Sequence, residues 1–195
     1  MKIVYMGTPD IAVPTLRYLA ESKHQVVGVL TQPDRPKGRG HHTIPTAVKA
    51  AALEYDIPVY QPLSLRKGED AAAALETLRQ LNPDLIVVLA YGQILPKEVL
   101  ELPKYGCINL HASLLPAYRG AAPIQWVILN GETRTGVTAQ QMGEGLDTGD
   151  MIEKAVVDIT EDDTAGSLHD KLMEAGCSLI LSTMEKLENH TAVLT

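Results

Sequence analysis

An apolar segment near the middle of the chain carries two polar side chains whose spacing could serve catalysis. Residues 106–123 read G-C-I-N-L-H-A-S-L-L-P-A-Y-R-G-A-A-P. Asn109 and His111 are two positions apart, so in a β-strand they share one face, with Cα atoms about 6.5 to 7 Å apart. An amide beside an imidazole suits a reaction in which a carbonyl becomes a tetrahedral oxyanion, because the amide donates and the imidazole donates or accepts a proton.

A carboxylate in a later turn could complete this pair, since a catalytic histidine commonly has a carboxylate that orients its ring. The candidate is Asp147, in the glycine-punctuated turn G-E-G-L-D-T-G-D of residues 143–150. No nucleophile motif such as G-x-S-x-G is present, which favours direct transfer over a covalent enzyme intermediate. Spacing alone leaves a second interpretation open, in which Asn109 and His111 satisfy backbone groups at a strand end and Asp147 only forms the turn.

These side chains must be positioned by the elements around them, and the sequence predicts alternating strands and helices. Breakers after His111 end its strand and open a crevice of the kind in which open α/β sheets bind ligands. The alternation indicates an α/β, Rossmann-like fold, a mostly parallel sheet with helices on both faces. Strands are predicted at residues 2–6, 24–31, 58–61, 84–91, 108–111, 135–142 and 151–159, and helices at 10–21, 48–55, 69–81, 96–100, 121–130 and from 168 onward.

The composition of the chain limits the classes of protein to which it can belong. The 195 residues are 45% hydrophobic and 21% charged, as expected of a soluble globular protein. No apolar run approaches the roughly 20 residues that span a bilayer, and no signal peptide is evident, so we expect a cytoplasmic protein without membrane contact. Cys107 and Cys177 lack disulfide or zinc-like spacing and are expected to be packing thiols. His41 and His42 have no second ligand pair nearby, so no metal site is predicted.

The charge is distributed unevenly, although the formal net charge of −7 argues against general affinity for nucleic acid. Residues 31–49 contain four basic side chains and one acid, Asp34. The connection at residues 32–45 is longer than the usual two to six residues, which favours a functional loop. It could bind a local anionic partner or be simply a solvated loop. The basic side chains are Arg35, Lys37, Arg39 and Lys49.

The first turn excludes one class of enzyme. The motif M-G-T-P-D at residues 6–10 places Thr8 and Pro9 where a helix N-cap and first helical residue are expected. It lacks the second and third glycines of G-x-G-x-x-G, which argues against a dinucleotide-dependent oxidoreductase.

Several motifs together resemble the folate-dependent formyltransferases over essentially all 195 residues. The Asn-x-His pair with a downstream Asp is shared by the wider family, whereas the Q-P-D-R-P-x-G-R-G loop and L-D-T-G-D point to its tRNA branch. The motifs are N-L-H (109–111), S-L-L-P (113–116), R-G-A-A-P (119–123), L-D-T-G-D (146–150), M-G-T-P-D (6–10), T-Q-P-D-R-P-K-G-R-G (31–40), A-Y-G-Q-I-L-P (90–96) and D-T-A-G-S-L-H-D-K-L (163–172).

The resemblance implies a reaction, a formyl donor and an acceptor. A formyl group would pass from 10-formyltetrahydrofolate to the α-amine of methionine carried by initiator methionyl-tRNA, without a metal or an obligate protein partner. Asn109 and His111 would stabilise the oxyanion, and Asp147 would hold and polarise His111. The folate site would include Ser113, Leu114, Leu115, Pro116 and the backbone around Ile94, Leu95 and residues 144–147. Arg35, Lys37 and Arg39, Arg39 above all, would contact the tRNA acceptor end.

Two departures from the family pattern affect what is expected. Members of the tRNA branch carry a second, β-rich domain, so we expect residues 1–189 to be the catalytic domain of a formyltransferase fold and residues 190–195 to begin a linker to a domain absent from this chain. Ala112 stands where many relatives have glycine, a change expected to be tolerated. The alternatives are formyl transfer to a sugar-nucleotide amine or to glycinamide ribonucleotide, and a non-catalytic folate-binding module. Glycinamide ribonucleotide would call for a phosphate-cradling glycine loop, which M-G-T-P-D is not.

Overall fold

The computed structural model describes residues 1–40, 42–145 and 147–195 and divides into two units, Met1–Cys107 and Ile108–Thr195. His41 of the basic loop and Leu146 of the L-D-T-G-D motif lie outside the described residues. The elements of the first unit are β1 (Lys2–Gly7), a 3-10 turn (Asp10–Ala12), α1 (Val13–Ala20), β2 (Gln25–Leu30), β3 (Arg35–Pro36), β4 (Thr43–Ile44), α2 (Ala47–Glu54), β5 (Val59–Tyr60), α3 (Gly68–Leu81), β6 (Leu85–Leu89) and α4 (Lys97–Leu100).

The sheet of the first unit is parallel, with the order β5-β2-β1-β6. Its central strands are buried on both faces, which explains their nearly continuous apolar sequence. Ile3, Val4 and Tyr5 of β1 and Leu85 and Ile86 of β6 are all fully buried. The predicted parallel β/α arrangement is therefore present around β1.

The first turn differs from its prediction. The helix expected from residue 10 starts as a 3-10 turn, and α1 begins only at Val13. The Thr8 hydroxyl caps neither, because it donates to the carbonyl oxygen of Tyr91 at 2.7 Å. The predicted N-cap is wrong because a contact 83 residues away takes up this hydroxyl.

The second unit contains a long helix and three antiparallel strands in the order β7 (Cys107–His111), β8 (Arg134–Gln141) and β9 (Met151–Asp158). Its last helix begins with a capping box formed by Thr164 and Ser167. Leu168, Leu172 and Ile180 are 0% exposed, so the closing helix predicted from residue 168 onward buries one apolar face. The elements are β7 (Cys107–His111), α5 (Pro123–Leu129), β8 (Arg134–Gln141), β9 (Met151–Asp158) and α6 (Ala165–Glu188).

A charged cluster joins β9 to α6. Glu153 of β9 accepts hydrogen bonds from Ser182, Thr183 and Lys186, the lysine at 2.8 Å. Burial works to raise the pKa of Glu153, but these hydrogen bonds outweigh it, and the pKa lies below its usual value. The cluster fixes the register of helix against strand. No helix of the residues described is long and apolar enough to cross a membrane.

Candidate active site

The candidate site of the second unit begins at the carboxyl end of β7, where Asn109 and His111 lie on one face of the strand. In the ladder with β8, Asn109 pairs with Gln140 and His111 with Thr138. His111 is 8% exposed, whereas Asn109 is half-buried. The strand therefore presents an amide and a largely desolvated imidazole side by side.

The imidazole of His111 faces the carboxylate of Asp147. Nδ1 of His111 lies 3.7 Å from Oδ1 of Asp147, and the two side chains are 9% and 8% exposed. This distance suits an ion pair but is too long for a hydrogen bond. The structure thus brings together the two side chains that the sequence suggested as partners, and their catalytic roles stay a prediction.

A turn between these residues contacts both of them. Nε2 of His111 lies 2.8 Å from the carbonyl oxygen of Tyr118, and because a carbonyl only accepts, we assign a proton to Nε2. The backbone N–H of Gly120 donates to Oδ2 of Asp147 at 2.9 Å. Sequence reasoning missed Tyr118 and Gly120, because both contacts use backbone groups that carry no side-chain signal.

The S-L-L-P turn is held by β8 and β9. The Thr138 hydroxyl of β8 donates to the Ser113 carbonyl at 2.7 Å and accepts from the Leu115 N–H at 3.0 Å. Lys154 of β9 donates to the Leu115 carbonyl at 2.5 Å. The Ser113 hydroxyl is committed to the Ala117 carbonyl at 2.7 Å, and Ser113 is fully buried. This turn is therefore a rigid support.

The four predicted folate contacts of this turn differ in accessibility. Ser113 and Leu115 are buried, Leu114 is half-buried and Pro116 is exposed. Any direct contact with a ligand would fall mainly to Leu114 and Pro116, while Ser113 and Leu115 would shape the turn.

The other predicted folate segment lies in the first unit, after β6. Ile94 is 60% exposed and Leu95 is 3% exposed. Within the residues described, the backbone groups of Ile94 and Leu95 make no hydrogen bond. The adjacent Gln93 fixes the turn, because its side chain accepts from the Leu65 N–H at 2.9 Å and donates to the Pro62 carbonyl at 2.9 Å. The segment presents free backbone donors and acceptors beside an exposed apolar side chain.

The basic loop of the first unit is a short hairpin rather than the irregular connection that its prolines and glycines predicted. Strands β3 and β4 pair antiparallel, Arg35 with Ile44 and Pro36 with Thr43. The Lys37 N–H donates to the His42 carbonyl at 2.9 Å. Arg35, Lys37 and Arg39 are exposed. The predicted tRNA contacts therefore project from an ordered element.

Three side chains anchor this hairpin through a network of hydrogen bonds that the sequence did not predict. Lys49 donates to Asp34 at 2.9 Å and to Gln61 at 3.0 Å, and Gln61 donates to Asp34 at 2.7 Å. Hydrogen bonds from Lys49 and then Gln61 hold the pKa of Asp34 below its usual value. The one acid and the last basic residue of the loop region are thus paired with each other, and among the residues described the other three basic side chains of the region are exposed.

A cleft of about 560 Å³ opens beside the hairpin within the first unit. Arg35 contributes to its rim, and the first turn contributes Thr8 and Asp10. The remaining lining residues are Pro9, Gln32, Ile44, Pro45, Thr46, Ala47, Ala90, Tyr91 and Gly92. Its size is that of a small-ligand or nucleotide pocket. The sequence did not predict a cleft at this turn.

The cysteines take no part in this chemistry. Neither forms a disulfide within the residues described, and both are buried, in keeping with packing thiols. Burial raises the pKa of the Cys107 thiol to about 12, so it is not a thiolate near neutral pH. Apart from positions 41 and 146, which are not described, no group of three or more His, Cys, Asp or Glu side chains could hold a metal ion.

Comparison with known proteins gives a family and several relatives. The family model described as formyl transferase matches residues 1–184. The methionyl-tRNA formyltransferase of Clostridioides difficile (strain 630) is 56% identical over 192 residues, which are 98% of this chain and 61% of that protein. The enzyme of the same name from Clostridium botulinum (strain Alaska E43 / Type E3) is 59% identical over 187 residues, 96% of this chain and 59% of that protein. This chain thus spans about three fifths of the length of these relatives.

A solved structure confirms the fold class. The phosphoribosylglycinamide formyltransferase from Bacillus halodurans superposes with a TM-score of 0.79, at 22% identity, over 96% of this chain and 95% of that one. At this identity the likeness concerns the fold alone. The predicted α/β, Rossmann-like, mostly parallel sheet with helices is confirmed.

Proposed function

We propose, because this chain belongs to the formyl transferase family, that it transfers the formyl group of 10-formyltetrahydrofolate to the α-amine of initiator methionyl-tRNA. The amine nitrogen attacks the formyl carbon, a tetrahedral oxyanion forms, and the bond from that carbon to the folate nitrogen breaks as the proton lost by the amine passes to that folate nitrogen. The acceptor rests on the 56% and 59% identity to proteins named methionyl-tRNA formyltransferase. Such a role in translation initiation places the protein in the cytoplasm.

The observation that carries the reaction is the approach of a buried imidazole to a buried carboxylate at the end of β7, 3.7 Å apart. In this proposal Asn109 donates its amide N–H to the oxyanion, and His111 stabilises the same oxygen. Asp147 lies beside the imidazole and keeps its ring in place. Oxyanion donors of this kind are worth about 2.7 to 4 kcal/mol each where one has been removed.

The formyl donor fits two features of the chain. A pterin ring needs hydrogen-bond partners along one edge and apolar contact on its faces. The free backbone groups of Ile94 and Leu95 and the exposed Ile94 side chain supply both in the first unit. In the second unit, Leu114 and Pro116 supply accessible apolar surface on the rigid S-L-L-P turn. Each unit, taken by itself, therefore offers a candidate contact for the folate, which supplies the formyl group.

The acceptor fits the basic hairpin. Nucleic-acid phosphates are bound chiefly by Lys and Arg, and this hairpin concentrates three exposed basic side chains in a chain of net charge −7. The cleft beside it is large enough for a nucleotide, and Arg35 is shared by hairpin and cleft. Arg35, Lys37 and Arg39 would therefore contact the acceptor end of the tRNA.

An acceptor competition tests the proposal. This chain is incubated with 10-formyltetrahydrofolate and, separately, methionyl-tRNA, an amino-sugar nucleotide and glycinamide ribonucleotide, and formylated product is counted. We expect product with methionyl-tRNA alone. Product with either of the other amines would show that the acceptor is not methionyl-tRNA alone. Folate binding without transfer to any amine would show that the chain is a folate-binding module and not an enzyme.

A further inference from the structure

One short turn, Tyr118 to Gly120, holds both members of the candidate catalytic pair. The Tyr118 carbonyl accepts the Nε2 proton of His111 at 2.8 Å, and the Gly120 N–H donates to Asp147 at 2.9 Å. His111 and Asp147 themselves stand 3.7 Å apart, beyond hydrogen-bond distance. Their separation is therefore set by the turn that both contact.

The backbone conformation of this turn is unfavourable without supporting contacts. Tyr118 has φ of +56°, a left-handed conformation that an aromatic residue seldom takes, and Gly120 and Ala122 have φ of +88° and +58°. Such a conformation persists only where surrounding contacts impose it. Those contacts must be identified before a role is assigned to the turn.

The side chain of Tyr118 makes contacts that can impose this backbone conformation. Its hydroxyl donates to Glu132 at 2.8 Å and accepts from the Asn130 amide at 3.0 Å. Asn130 ends α5, and Glu132 is tied to that helix, because its N–H donates to the Val127 carbonyl at 3.0 Å. The ring of Tyr118 thus links a helix end to the backbone carbonyl that faces His111.

We propose that Tyr118 is a positioning residue: its anchored side chain holds the turn so that its carbonyl caps Nε2–H of His111 until a substrate oxygen replaces it. Nδ1 of His111 faces Asp147, so Nε2–H is the donor left for an oxyanion, and in this structure it is already engaged. The proposal rests on the proposed formyl transfer. Beyond the proposed function, the proposal states that a substrate oxygen must displace the Tyr118 carbonyl from Nε2–H of His111.

The test is Tyr118→Phe, which keeps the ring and removes the hydroxyl. We expect Nε2–H of His111, followed by ¹⁵N NMR of histidine-labelled protein, to exchange with solvent roughly tenfold faster, the effect of losing one hydrogen bond to a charged group. The signal is assigned with His111→Gln. We also expect kcat to fall by about tenfold with KM for folate unchanged, and Tyr18→Phe, an exposed tyrosine of the first unit, to change neither quantity.

Further variants separate positioning from other causes. Asn130→Ala combined with Glu132→Ala should reproduce the effects of Tyr118→Phe, and adding Tyr118→Phe to that pair should change nothing more. Unchanged exchange at Nε2 in Tyr118→Phe overturns the proposal, whatever happens to turnover. Faster exchange with unchanged kcat overturns the catalytic part. If the unaltered chain transfers no formyl group, the proposed function fails, and the NMR comparison alone decides whether Tyr118 positions His111.

Discussion

Replacing Asp147 by asparagine removes one negative charge from the candidate site while keeping the shape of the side chain. Asp147 has φ of +49°, and asparagine tolerates that left-handed conformation better than alanine does. The new amide oxygen can still accept the N–H of Gly120. We therefore expect the fold to survive and the electrostatic partner of His111 to be lost.

The expected effect follows from the distance and burial of the pair. When the reaction places a proton on both nitrogens of the imidazole, the resulting unit charges 3.7 Å apart attract by about 1 kcal/mol in bulk water and by about 4 kcal/mol at an effective dielectric constant of about 20. Both side chains are less than a tenth exposed, which favours the upper part of that range. Since about 1.4 kcal/mol is tenfold in rate, Asp147→Asn should lower kcat by about 10² to 10³.

The assay is formyl transfer to methionyl-tRNA with both substrates saturating, together with folate binding and thermal unfolding of each variant. Asp158→Asn is the matched control, because it makes the same chemical change on a carboxylate that is 79% exposed at the end of β9. We expect that control to stay within twofold of the unaltered chain. A kcat for Asp147→Asn within threefold of the unaltered value would refute the reasoning.

Three other variants test the hairpin, the packing and the last helix. Arg39→Ala should raise KM for methionyl-tRNA by about tenfold and leave KM for folate unchanged, because it removes a phosphate-binding charge; equal changes in both would contradict this. Gly136→Ala should lower the free energy of unfolding in urea by about 1 to 3 kcal/mol, since its added Cβ would lie 2.1 Å from the Ala155 carbonyl oxygen; an unchanged midpoint would contradict this. Asp163→Asn should lower Tm at pH 7, because hydrogen bonds from Lys171 and the Thr160 backbone hold the native pKa of Asp163 below its usual value. That stabilisation is full above the unfolded pKa of about 4 and is lost progressively as the pH falls from there toward the lower native pKa, so the Tm difference should shrink toward pH 3, and a constant difference would contradict the assignment.

Side-chain pattern predicted the elements that position the site. The alternation around Asn109 and His111 placed both on one face of β7, and the continuous apolar sequence of residues 84–91 matches the buried strand β6. These predictions succeeded because burial of one or both faces of a strand determines which of its positions are apolar.

Prediction from the sequence failed where backbone groups or residues distant in the chain determine the structure. Tyr118 takes a left-handed conformation without being glycine, and its contact with His111 is made by a carbonyl. Thr8 resembles a helix cap, but Tyr91, far along the chain, takes its hydroxyl. The hairpin at Arg35 forms despite the adjacent proline. It is anchored by the hydrogen bond from Lys49 to Asp34, and Lys49 lies outside the loop's own sequence. Local propensity does not carry such tertiary contacts.

The most direct measurement is a double-mutant cycle on the imidazole and the carboxylate. Single-turnover formyl transfer is measured for His111→Ala, Asp147→Ala and the double variant, each checked for folate binding. If the two side chains act as one unit, each single change costs at least about 10² and the double variant is no slower than the slower single one. Losses that multiply in the double variant would show two independent groups and contradict the account.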